Sequence, residues 1–248
     1  MAASVSYSAS NLLLKPLPDL DVAARHTTSH ALYQIHFVGI LQPWANFEAE
    51  VANTYNGQTW NLQAIASKLT GNFLAGSVHE ERVFVCDERG IQGRLEGRAG
   101  TALGAVFKAQ NQDLKLGAFK GALPPHPGYR KAPDFVLMTQ AHMAKVVGEA
   151  KSPWISEHHL EDLYMFDLRL KHGFLTTYNQ TVFLRKVDVG RAWGLEYSPV
   201  IYHGDRGSVS GTTVSFCQSL YHVGLLALAD SDFGTSIGLR NQTWTISE

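Results

Sequence analysis

Short apolar runs broken by charged or glycine positions dominate the chain from residue 133 onward, whereas the first half carries longer stretches with helical spacing. "PWANFEAEVANTY", from Pro43, predicts a helix opened by its proline, and "TWNLQAIASKLT", from Thr59, predicts a second with the threonine as cap. "RVFVC" at 82–86 reads as a short strand. From Arg89 to Gln110, a turn of about 100° per residue gathers Ile91, Leu95, Ala99, Ala102, Leu103, Val106 and Phe107 on one broad arc, as in an amphipathic helix. The polar, Gly- and Pro-rich "GALPPHPGYRKA" predicts a loop leading into the strands "PDFVLM" and "KVVGEAK". A helix is predicted from Ser156 to His172, with Gly173 placed to end it. "FLTTY" and "TVFLRKV" flank Asn179-Gln180 as a hairpin, "WGLEYSPVIY" adds a strand, and "TTVSFCQSLYHVGLLALAD" is a closing helix. This order predicts an α/β fold of the α+β kind, a central mixed sheet with helices on both faces. The first 30 residues, rich in Ser, Ala and Thr, read as a poorly ordered arm, so residues 1–75 are expected to form an arm and helical extension and 76–248 the main domain.

Composition narrows the function classes. The 248 residues are 45% hydrophobic, enough for a sizeable core without covalent staples. Cys86 and Cys217 give neither a disulfide framework nor a metal-like spacing, which points to a reducing, intracellular setting. No run approaches the roughly 18 apolar residues of a membrane helix, so no membrane partner is expected. Net charge is −1, yet Lys108 to Lys151 holds seven basic residues against three acidic ones, a local excess that suits either a phosphate backbone or a solvated face. The eleven histidines include no pair with zinc-site company; His158 and His159 are adjacent and diverge on a helix.

The candidate chemistry lies in three acids and a lysine. Side chains alternate along a strand, so Glu149 and Lys151 share a face, and Asp134 meets them if "PDFVLM" and "KVVGEAK" pair as an antiparallel hairpin. Two carboxylates brought together either raise a pKa or demand a cation, and such oxygens suit Mg²⁺. The alternative is that Asp134 caps a turn while Glu149 and Lys151 form a surface ion pair. Glu96 falls inside the apolar arc of its helix and needs a partner, either Arg94 or Arg98, or a metal. Gly93, Gly97, Gly100 and Gly104 line the adjoining face and permit close approach of another backbone.

"PDFVLM", fourteen intervening residues between the acids, and "GEAK" resemble the signature of the PD-(D/E)XK nuclease superfamily. The further run "SPW" and "GFLTTYNQTVFLRK" extends the resemblance, over roughly residues 90 to 190, to fungal proteins carrying a nuclease-like domain. The resemblance implies a restriction-endonuclease-like αβββαβ core and phosphodiester hydrolysis. It implies Asp134, Glu149 and Lys151 as catalytic residues, and Asp134, Glu149, Glu96 and the Ala150 carbonyl as holders of Mg²⁺ or Mn²⁺. Arg130, Lys131 and Lys145 are candidates for binding nucleic acid, DNA ahead of RNA. Where some branches carry a glutamine on the helix after the lysine strand, "EHHLEDLYM" offers His158, His159 and Tyr164. Trp154, Tyr164, Phe166 and Phe174 read as core aromatics rather than base platforms. The competing expectation is an inactive protein of the same fold that binds nucleic acid or protein as a scaffold. An unrelated α/β hydrolase is disfavoured, since Gly-x-Ser-x-Gly, phosphate-loop and dinucleotide motifs are missing from the sequence.

Overall fold

The computed structural model describes residues 4–27, 35–37, 39–68, 84–123, 132–154, 164–165, 168–189, 192–230 and 244–246. In chain order the elements are β1 (Ser4–Tyr7), α1 (Ala9–Leu13), β2 (Asp21–Val22), β3 (Ile35–Phe37), β4 (Ile40–Pro43), α2 (Phe47–Asn56), β5 (Ile65–Lys68) and β6 (Phe84–Val85). Next come α3 (Glu88–Leu95), a π-helical turn (Glu96–Gly100), α4 (Thr101–Ala109), β7 (Lys115–Gly117), β8 (Phe135–Met138), β9 (Ala144–Ala150) and β10 (His172–Thr176). The chain continues through β11 (Gln180–Val189), β12 (Ala192–Tyr197), β13 (Ile201–Tyr202), α5 (Phe216–Ala229) and β14 (Trp244–Ile246).

The expected central mixed sheet is present, in the order β4-β12-β11-β10-β9-β8-β7 with β13 beside β11. β7, β8 and β9 form an antiparallel meander, β9 and β10 run parallel, and β10, β11 and β12 are antiparallel. One face packs on α3, α4 and α5 through Leu95, Leu103, Phe107, Phe135, Phe174, Phe183, Phe216 and Leu220. The other covers Val147, Leu184 and Leu195 with Met165, a residue in a helical turn before β10. Among the described residues no helix is long and apolar enough to cross a membrane. Cys86 and Cys217 are both free.

Several expectations are corrected. The N-terminal residues are integral to the fold: α1 is capped by Ser8, Ala9 and Leu13 are fully buried, and β4 pairs with β12 in the main sheet. The segments on either side of residue 75 therefore share one core. The helix expected from Pro43 starts at Phe47, because Pro43 closes edge strand β4, where its missing N–H breaks no ladder. The stretch from Thr59 holds strand β5, paired with β1, rather than a helix. Asn61 explains this: its N–H meets Gln110 Oε1 at 2.7 Å and its Nδ2 meets the Ala109 carbonyl at 2.9 Å, tying the chain across the end of α4. Gly173 ends no helix; it lies within β10, where a Cβ would come 2.6 Å from Met165 Sδ.

The glycine of "VVGEAK" has a packing cause. Gly148 stands beside Phe174 on the parallel neighbour, and the phenyl ring occupies the volume a Cβ would need. Gly148→Ala is expected to destabilise by about 1–3 kcal/mol through this overpacking, read from the shift in denaturant midpoint.

At the opposite end of β10, His172 is 2% exposed and, among the described residues, neither ring nitrogen has a hydrogen-bond partner. His222, on α5, exchanges a 2.7 Å hydrogen bond with Thr54 Oγ1. Burial, reinforced by the charges of Lys171 and Arg185, pushes His172 down to about 3, and burial with Arg185 pushes His222 down to about 4. Both imidazoles stay neutral in the fold yet take up a proton near 6.5 once unfolded. Stability from this pair is therefore complete above about pH 6.5 and is lost as pH falls toward the folded values, by about 1.4 kcal/mol per pH unit for each histidine. The melting temperature is expected to fall steadily from about pH 6.5 to 4.5, with a shallower slope in His172→Phe.

Candidate functional site

The site forms where β8, β9 and β10 end together. Phe135 faces Gly148 across the antiparallel pair, so one more step of the register sets Asp134 opposite Glu149. The Ala150 N–H, freed from that ladder, donates to Asp134 Oδ2 at 2.8 Å. On the other side Ala150 pairs with Thr176, and the Lys151 N–H continues the parallel ladder with a 2.8 Å bond to the Thr176 carbonyl. Strand alternation then returns the Lys151 side chain to the face of Glu149, and Lys151 Nζ lies 3.1 Å from Glu149 Oε1. Lys151 is only 5% exposed, so this is a buried pair rather than the surface pair of the alternative reading.

The adjoining helix supplies the third acid. Leu95 and Ala99 are fully buried, which anchors the π turn and leaves Glu96 half-buried at the sheet end. Burial raises the Glu96 pKa, and the Asp134 charge raises it further. Among the described residues Glu96 Oε1 is buried with no hydrogen-bond partner. The charges of Arg94 and Arg98 also reach Tyr178, whose hydroxyl burial nonetheless pushes up to about 12. One turn before Glu96, Gln92 Nε2 donates to the Asp134 carbonyl, fixing helix to strand.

The remaining sequence candidates divide. Lys145 sits near the start of β9, about 20 Å from Lys151 at strand rise, so it belongs to the far end of the sheet. Arg130, Lys131, His158, His159 and Phe166 lie outside the described residues. Ala150 engages Asp134 through its N–H. Tyr164 lines a crevice of about 20 Å³ with Glu149, Val147, Met165, Leu175 and Leu184, large enough for one water. Among the described residues no other backbone approaches the glycine face as expected: a Cβ at Gly93, Gly97 or Gly104 meets nothing within 4 Å, and at Gly100 it meets only the Leu116 side chain.

Sequence reasoning missed Gln92 and the backbone role of Thr176. Gln92 was legible as the i−4 neighbour of Glu96. Thr176 acts through its backbone carbonyl, which no side-chain pattern reports.

The donors here are oxygens, and Glu96 and Asp134 face each other with like charge, so the residues fit a hard, oxygen-binding cation. Among the described residues no three His, Cys, Asp or Glu side chains form a group that would hold a metal. A cation would thus rest on one or two carboxylates and complete its shell from water and substrate. No family model matches the chain, and no curated protein or solved structure does.

If Glu96 and Asp134 oppose each other, neutralising one relieves the fold. Glu96→Gln is expected to raise the melting temperature at pH 7 in EDTA, and the gain should shrink when millimolar Mg²⁺ stabilises the wild type alone. Differential scanning calorimetry of both proteins, with and without the metal, checks it.

Proposed function

We propose that the chain is a metal-dependent phosphodiesterase acting on nucleic acid, DNA ahead of RNA, with a restriction-endonuclease-like αβββαβ core. The observation that carries this reading is the meeting of Asp134 and Glu149 on flush strand ends with the buried Lys151 ammonium against Glu149. The succession of α3 and α4, then β7, β8 and β9, a helical turn at Tyr164–Met165 and parallel β10 also supports it.

One or two of the carboxylates Asp134, Glu149 and Glu96, with the Ala150 carbonyl, would hold Mg²⁺ or Mn²⁺, the rest of the shell coming from water and substrate. Such a cation, when bound, neutralises charge on the scissile phosphate and lowers the pKa of a water. The protein's own contribution begins with the Ala150 N–H, which fixes the orientation of Asp134. Lys151 serves as counter-ion to Glu149 and, once a phosphate arrives, donates to the oxygen on which charge grows. The apolar side chains beside Glu149 keep bulk water from that carboxylate and strengthen its electrostatics.

One observation favours the second reading, an inactive scaffold on the same fold: Glu149 is already neutralised by Lys151, as in a purely structural pair. Titration calorimetry and cleavage assays separate the two. For the enzyme, Mg²⁺ or Mn²⁺ binding is expected in the wild type and lost in Glu149→Ala, while Lys151→Ala lowers the cleavage rate by about 10²-fold or more. Nucleic-acid binding without cleavage across single-stranded and duplex substrates would select the scaffold.

A further inference from the structure

Just beyond Lys151, the chain bends at Pro153 and Trp154. Three residues span at most about 11 Å, so the backbone at Trp154 lies within that distance of the backbone at Lys151. Trp154 packs one side against the core, and its Nε1–H donates to the Thr27 carbonyl at 2.7 Å. His26 lies over it with ring centroids 4.8 Å apart and planes tilted by 35°. Its Nδ1 is 3.4 Å from the same carbonyl, so one acceptor orients both rings.

The segment that delivers His26 contributes little to the core. Asp21, Val22, Arg25, His26 and Thr27 are all exposed. It is nevertheless fixed by backbone bonds: β2 pairs with β6, Ala23 N–H meets the Val85 carbonyl, and Thr27 N–H meets the Cys86 carbonyl at 2.9 Å. The result is an exposed imidazole face, backed by a partly buried indole, three residues along the chain from Lys151. A nucleobase stacks on such a face without regard to its identity. A base in a duplex is already stacked on its neighbours and gains little by moving, whereas an unpaired base gains the whole contact. Arg25, exposed beside His26 in the chain, supplies positive charge for the attached phosphate.

We propose that the His26–Trp154 stack is a base-binding platform that selects single-stranded nucleic acid, or the unpaired end of a duplex, for the site at Lys151. The inference rests on the nuclease reading above for its substrate class, and its test is read separately from cleavage.

The experiment is fluorescence anisotropy in EDTA, where metal-dependent cleavage is silent. Its probes are labelled oligothymidylate and oligouridylate of about a dozen nucleotides and a duplex of the same length. Single strands are expected to bind the wild type more tightly than the duplex. His26→Ala, an exposed change that leaves the core untouched, should weaken single-strand binding by about tenfold, and Trp154→Ala by at least as much. Trp154→Phe should keep most of the affinity, and duplex binding should change by less than about twofold. Equal DNA and RNA losses mark stacking on either sugar, while a loss with one strand only assigns the platform to that nucleic acid.

The proposal is overturned if the wild type binds no single strand, if His26→Ala binds as well as the wild type, or if duplex affinity falls in parallel. Cleavage on adding Mg²⁺ then reports on the other reading: cleavage with a neutral His26→Ala removes the platform and keeps the nuclease. Stacking without cleavage of any substrate keeps the platform and removes the hydrolysis.

Discussion

The parallel pairing of β9 with β10, made possible by the Phe174 ring lying over the bare Cα of Gly148, sets everything at the site. With that ring seated, the two strands end level at Ala150 and Thr176, and the next peptide of each is left to bond elsewhere. Asp134 takes the Ala150 N–H, and the Thr176 carbonyl takes the Lys151 N–H. A side chain at position 148 would push the strands apart and misalign both. The acids are thus placed by backbone hydrogen bonds that depend on an aromatic contact in the core, not on their own charges.

The two ends of the sheet treat buried polarity differently. At the far end Arg185 stacks at 3.9 Å on Trp44 and meets Glu196 through Nε and Nη2, while Trp44 Nε1 and the same guanidinium both address Glu50. Arg185 is shared between carboxylates there, and the neighbouring histidines are held neutral. At the near end the Asp134 charge raises the Glu96 pKa, and the buried Lys151 ammonium is engaged by Glu149. A fold able to neutralise its acids at one end and leaving like charges together at the other concentrates its electrostatic cost where chemistry would use it.

The sequence carried the sheet strands and the apolar arc of α3 and α4 because both periodicities are local. Ile91, Leu95, Ala99, Leu103, Val106 and Phe107 are all buried, as their spacing required. It also carried the neighbourhood of Asp134, Glu149 and Lys151, since strand alternation and a hairpin suffice for that. Hidden were features decided by distant partners. β5 is a strand because residues near Ala109 hold Asn61, Gly173 sits in a strand because Met165 covers it, and residues 4–27 are held by a core they help to build. The π turn is likewise invisible to a period of about 3.6 residues, although it governs where Glu96 emerges. Trp154 reads from sequence as a core residue, which is half of its environment; the other half is an imidazole brought from position 26.

β4 has a consequence for how the chain acquires its shape. Ile40 pairs with Gly194 and Pro43 with Tyr197, so strands from opposite halves of the polypeptide lie side by side. During synthesis the early strand has no mate until most of the chain has left the ribosome, and α2 waits still longer for α5. Closure of such remote pairs is entropically slow, and exposed Ile40 and Leu41 remain on an open edge meanwhile. The β4–β12 and α2–α5 pairs are therefore expected to close after the elements that lie between them in the chain.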